Sequence, residues 1–234
     1  MIMKKIKILI FTLITVIVTV LLWLYAYRTY RINHSITVLT SGADSQTGLY
    51  NTKPVSDAYL SKSPATLSDV DRRIYDEVVR VLGMIVTDDM SEYEKELAVH
   101  DYLVYNVSYD ASRLNVFYRH DKDSENPYGA LVNHKATCTG YAASFQMFMD
   151  MLEIPCMTIV ANDGDGSDHA WNMVSLDDEW YYVDVAWDDP LPESEDSPTH
   201  KYFNVTERFL RENEHCWDSS KLPRADATKY KYRG

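Results

Sequence analysis

The stretch from Thr137 to Asp189 constrains the fold more than any other part of the chain. It passes from one apolar helix pattern into three strand-like runs, with polar residues at the starts or inward faces of those elements. After "KATCTGYAASF", Tyr141, Phe145, Phe148, Met149 and Leu152 recur at helical spacing on one apolar face, and the pattern stops before Pro155. The runs Cys156 to Ala161, His169 to Leu176 and Trp180 to Trp187 follow, and "DDE" between the last two predicts a tight hairpin. Strand alternation puts Tyr182, Asp184 and Ala186 on one face of the last run, with Tyr181, Val183, Val185 and Trp187 on the other. His169, Trp171 and Met173 share a face of the run before it.

Upstream, Ser68 and Asp69 stand as caps before "VDRRIYDEVVRVLGMIV", where Val70, Ile74, Val78, Leu82 and Ile85 recur at helical spacing. Ser91 and Glu94 form a capping box for a second helix, running through Leu97, His100, Leu103 and Val104 toward Asn106. Helices first and an antiparallel sheet last predict an α+β domain over 68–234. Residues 32–67 lack apolar periodicity, are rich in Ser, Thr, Gly and Asp, and are expected to form a polar tether.

At the front, Ile8 to Tyr27 is uncharged over 20 residues, a helix rising about 30 Å and so long enough to cross a bilayer. The run ends in Trp23, Tyr25, Tyr27 and Tyr30 rather than in the small residues of a cleavage site. Residues 1–31 therefore read as an uncleaved, single-pass signal anchor. Lys4, Lys5 and Lys7 precede it and Arg28 and Arg31 follow; a short basic tail before a first hydrophobic segment usually stays inside. The expected location is the cell membrane, with the domain outside the cytoplasm.

Without the five basic residues of 1–31, 18 basic residues face 35 acidic ones, a formal charge of −17. Such a surface repels nucleic acid and anionic headgroups. Cys138, Cys156 and Cys216 are too few and too widely spaced for a disulfide framework or a zinc site. His100, His134, His200 and His215 lack zincin spacing, and "NDGDGSDHA" fails as an EF-hand, because positions six and twelve counted from Asp163 hold Asp168 and Val174. No metal and no cofactor is expected. "NDGDGSDHA" reads instead as a flexible loop, and "DDPLPESEDSP" as a solvated connection.

A thiol becomes a good nucleophile on losing its proton, and a helix N-terminus stabilises the thiolate. Cys138 opens a predicted helix that Thr137 is expected to cap. His169 is expected to take the thiol proton and later return it to a leaving amine, with Asp184 holding the imidazole in the needed tautomer. The Cys138 amide is the expected oxyanion donor, and Tyr128 a second one. Gly140, which permits close approach, and Trp171 complete the expected substrate-binding set.

The segments "YGALVNHKATCTGYAASF", "DHAWNMVSLDDEWYYVDVAWDD" and "HKYFNVT" together resemble the transglutaminase-like superfamily, in particular a bacterial, membrane-anchored branch similar to kyphoscoliosis-type peptidases. The resemblance runs from about Asp69 to Trp217. It implies a papain-like, transglutaminase-core fold, a Cys138–His169–Asp184 triad and an acyl-enzyme on Cys138 resolved by an amine or by water. "NVSYD" at Asn106 to Asp110 also resembles a family block, and nothing resembles the calcium-binding insertions of animal transglutaminases. Water is always present, whereas an amine must be bound and water kept out, so a cysteine peptidase-like hydrolase acting on peptide or glutamine amides is expected. Protein–glutamine cross-linking is the second expectation, and a non-catalytic module binding protein or wall peptide at the cell surface the third.

Overall fold

The computed structural model describes residues 12, 14–24, 37–40, 49–114, 121–162, 168–189 and 198–234. Short helix α1 (Lys53–Leu60) is followed by two long helices, α2 (Asp69–Ile85) and α3 (Glu92–Asn106). Strand β2 (Ser108–Tyr109) pairs in parallel with β3 (Lys135–Ala136), with α4 (Pro127–Leu131) between them in sequence. Helix α5 (Cys138–Met151) then leads into β4 (Cys156–Asn162), β5 (Asp168–Leu176) and β6 (Glu179–Val183). With β1 (Thr37–Thr40) on the outside, the main sheet has the order β1-β4-β5-β6, every pair antiparallel. Helices α6 (Val185–Asp188) and α7 (Glu207–Glu212) follow.

The helix starts follow local chemistry. Ser68 accepts from the Asp71 amide at the head of α2, and Ser91 and Glu94 bond reciprocally at the head of α3, each cap worth about 1 kcal/mol. Ile74, Val78, Val81 and Leu82 turn the inner face of α2 into the core, while Val70, one turn before Ile74 at the helix start, stays exposed. The "DDE" hairpin is a two-residue turn: Asp177 and Asp178 both take positive φ, 52° and 63°, and Leu176 pairs with Glu179. Positive φ at both central residues is the type I′ geometry that matches strand twist.

Two apolar layers lie against the sheet. The larger joins α1 to α5 with one strand face, through Phe145, Phe148, Val174, Tyr181 and Val183. The second lies on the other face, where Ile159, Trp171, Met173 and Tyr182 meet Tyr202, Leu210 and Trp217 from the C-terminal segment. The sheet is thus covered on both sides, and the α+β expectation holds.

Two expectations need correction. Residues 32–67 are not simply a tether, because β1 pairs with β4 and α1 buries Val55, Ser56 and Ala58. Pro54 in the first turn and the spacing of these three small residues make a short amphipathic helix from a stretch that is polar on average. The last strand ends at Val183 rather than Trp187, because the Asp184 side chain accepts from the Trp187 amide and turns the chain into α6. Residues 14–24, within the expected anchor, are helical with exposed apolar side chains, but this stretch rises only about 16 Å. Among the described residues no helix is long and apolar enough to cross a membrane; the rest of the expected 1–31 anchor lies outside the described residues.

Candidate active site

Cys138 is the first residue of α5, so its backbone amide belongs to the helix's unsatisfied first turn. Thr137 occupies the cap position by backbone only. Its hydroxyl bonds instead to Thr139 Oγ1 (2.8 Å) and the Ser124 carbonyl (3.3 Å). This departs from the expected side-chain cap and leaves the helix's positive end free of a competing oxygen.

The head of α5 sits tightly on its own chain. A Cβ on Gly140 would come within 2.4 Å of the Ser124 carbonyl oxygen and 2.9 Å of the Ala136 Cβ. On α4, a Cβ on Gly129 would meet the carbonyl of neighbouring Asp123 at 2.1 Å. The close approach that Gly140 permits is therefore to the 122–125 turn.

Cys138, His169 and Asp184 come together. The thiol interacts with the His169 ring and with the Ala170 backbone amide. His169 Nε2 lies 2.6 Å from Asp184 Oδ2, which leaves Nδ1 for the thiol. The second carboxylate oxygen, Oδ1, accepts from the Trp187 amide at 3.1 Å. All three residues are buried, Cys138 at 6% and His169 at 5% exposure.

Their titration is coupled. Burial pushes the Cys138 thiol up, but the His169 hydrogen bond and charge, with the Ala170 amide, more than reverse this and hold it below an ordinary thiol. Burial disfavours the His169 cation, yet the charge and hydrogen bond of Asp184, and the thiol, carry it well above an ordinary imidazole. Asp184 is held far below the carboxylate range, because His169 and His215 outweigh the cost of burial. Together these favour a thiolate–imidazolium pair.

Tyr128 and Trp171 stand apart from the thiol contacts. The Tyr128 hydroxyl accepts from Arg73 Nη1 at 2.9 Å. Trp171 packs edge-on to Trp217 and His215 on the second layer, 5.6 Å from the His169 ring. The sequence patterns missed two contributors. One is the Ala170 amide, invisible to any side-chain motif. The other is buried His215, whose Nε2 lies 2.8 Å from Asp184 Oδ2, the oxygen that His169 also uses. The one available hint was a histidine beside an aromatic in "EHCW".

Residues 80–185 match the model of the transglutaminase-like superfamily. Over those residues the chain carries a transglutaminase-like domain. The transglutaminase-like domain is 27% identical over 121 residues to the human kyphoscoliosis peptidase, an alignment covering 45% of this chain and 18% of that protein. Against the mouse kyphoscoliosis peptidase it is 26% identical over 143 residues, covering 55% of this chain and 21% of the relative. The aligned part thus spans about a fifth of these curated relatives. A solved structure described as a TGase superposes at TM-score 0.42 with 20% identity, over 64% of this chain and 43% of that one.

Two clusters in the transglutaminase-like domain, among the described residues, gather metal-ligand atoms: His169, Asp184 and His215, and His100, Asp101 and His200. In the second, Asp101 Oδ1 lies 3.2 Å from His100 Nδ1 and 2.6 Å from His200 Nε2. Ligands on a tetrahedral zinc with bonds of about 2.0–2.1 Å stand about 3.3 Å apart. The separations of 2.6 and 2.8 Å on Asp184, and of 2.6 Å on Asp101, are those of hydrogen bonds.

Proposed function

We propose that this domain is a thiol acyl-transfer enzyme that hydrolyses peptide or glutamine amides. One observation carries the proposal: a buried thiol at a helix start is coupled to an imidazole whose Nε2 lies 2.6 Å from a buried carboxylate. The Cys138 sulfur attacks the amide carbonyl carbon, and the carbonyl electron pair moves onto oxygen. The amide heading α5 is aimed to donate to that oxyanion. His169 gives its proton to the departing nitrogen as the C–N bond breaks, leaving a thioester on Cys138. A water then attacks the thioester, His169 accepts its proton, and the carboxylic acid leaves as the thiol is restored. Asp184 keeps Nε2 protonated so that Nδ1 faces sulfur throughout.

The supporting features are the depressed thiol and the match of residues 80–185 to the transglutaminase-like superfamily, and the proposed substrate is a protein or peptide. The test is the pH dependence of iodoacetamide alkylation at each cysteine of the full chain. Cys138 is expected to react fast well below the ordinary thiol pKa of about 8.5, while Cys156, whose thiol burial pushes up, stays slow. A Cys138 no faster than Cys156 would sink the proposal and favour a binding module.

We also propose that residues 1–31 hold the domain at a membrane with its catalytic side outside the cytoplasm. Apolar side chains exposed all round the 14–24 helix, with Leu22 at 62% and Trp23 at 64% exposure, suit lipid rather than water. Recovery of the full chain in a salt-washed soluble fraction would contradict this.

A further inference from the structure

The Asp184 carboxylate is shared. His169 Nε2 and His215 Nε2 both meet the same oxygen, Oδ2, at 2.6 and 2.8 Å. His215 has a second polar contact, its Nδ1 lying 3.0 Å from the Asn213 carbonyl oxygen. A carbonyl oxygen only accepts, and so does an ionised carboxylate. Both ring nitrogens must then be donors, which requires both protons and a positive charge.

We propose that His215 is a positioning residue, a fixed imidazolium that neutralises Asp184 and sets the pH at which the Cys138–His169 pair works. The proposal rests on the thiol chemistry above. The ring is in place for it, packed 4.3 Å from Trp187, 5.1 Å from perpendicular Trp171 and 5.9 Å from Tyr202. The titratable groups facing it are Asp184, His169 of β5 (ring centroids 5.6 Å apart) and Tyr202, whose hydroxyl accepts from Lys201. Arg211 of α7 is engaged elsewhere, with Glu207 and over the Trp217 ring.

The charge count shows what the cation does. With His215 cationic, the four side chains Cys138, His169, Asp184 and His215 sum to zero whether the mobile proton sits on sulfur or on His169. Without it they carry one buried negative charge in either state. That charge would oppose thiolate formation and hold the His169 proton more tightly. Removing the cation therefore moves both ionisations to higher pH.

Two variants separate the charge from the packing. His215→Gln keeps a donor toward Asp184 and loses the charge, whereas His215→Phe keeps the ring and loses both. The expected result is a Cys138 alkylation profile displaced upward by about one pH unit in His215→Gln. In His215→Phe the displacement comes with slower alkylation at every pH, because Asp184 is freed from one anchor. A folded His215→Gln whose profile overlays the parent overturns the proposal. If the variants fail to fold, nitrogen NMR of the His215 ring in the parent chain at neutral pH decides it. Two protonated nitrogens support the proposal, and a neutral ring overturns it. Should Cys138 of the parent prove unreactive, the acyl-transfer proposal fails while the NMR still reports on His215.

Discussion

Among the described residues the domain holds two constellations of the same composition, one carboxylate oxygen between two imidazoles, in different surroundings. In the first, Asp184 Oδ2 joins His169 and His215, every side chain is at most 6% exposed, and a thiol sits on the far side of His169. In the second, Asp101 Oδ1 joins His100 and His200, with Asp101 at 39% exposure and no thiol in contact. The second behaves as a clasp. His100 Nε2 reaches Asp188 Oδ2 at 3.2 Å, and Asp188 also accepts from Thr199 and from the Tyr202 amide. One helical turn earlier on α3, Glu96 Oε2 accepts from Asn204 at 2.9 Å. Three polar links from α3 thus fix the chain that follows Asp184. The same donors and acceptors orient a thiol's neighbour in one buried setting and join distant segments in the other.

The largest effect that tests this contrast is Cys138→Ala. Amide hydrolysis is expected to fall by about 10⁴-fold, while the urea midpoint barely moves, because trimming a small side chain at a helix start costs little. A large loss of stability would make Cys138 structural and erase the distinction. The converse variant, His100→Leu, removes one partner of a buried charged pair and is expected to cost about 3–5 kcal/mol of stability. The Cys138 alkylation profile of the folded variant should not move. A shift in that profile would show the two clusters to be one electrostatic unit.

The third test uses pH. Glu96 is completely buried, and burial, only partly offset by Asn204 and His100, raises its pKa from 4.5 to about 8. Its Oε1 and the Asn204 Oδ1 have no hydrogen-bond partner, an arrangement suited to a protonated acid donating to the amide. Because the folded value lies above the unfolded one, the stability is fully present below about pH 4.5 and is lost as pH rises through about 8. Between pH 5 and 8 this amounts to about 3 kcal/mol. Urea unfolding of Glu96→Gln should show that part of the slope removed, and an unchanged slope would mean that Glu96 does not titrate in the fold.

Much of this was legible in the chain itself, and the failures have physical causes. The α2 periodicity, the Ser91–Glu94 box and the paired Asp177–Asp178 turn are local signals, and each appears in the structure. Cys138, His169 and Asp184 could be assembled from order and element starts. His215 could not, because a histidine near a tryptophan is too weak a local signal; it meets Asp184 across 31 residues, through the folding of the C-terminal segment over the sheet. The alternation of "WYYVDVAW" suggested one strand, yet a single carboxylate capping the Trp187 amide ended it at Val183. Helix α1 hid in a polar average because only its inner face is buried.

The two glycines against the 122–125 turn bear on how this site can change over generations. Every single-base replacement in a glycine codon that alters the residue adds at least a methyl group. At Gly129 and Gly140 that methyl would run into main-chain oxygen, at 2.1 and 2.4 Å, and backbone cannot step aside as a side chain can. Neither position has a neutral neighbour in sequence space unless the turn shifts first. The seat of Cys138 is therefore inherited as a block.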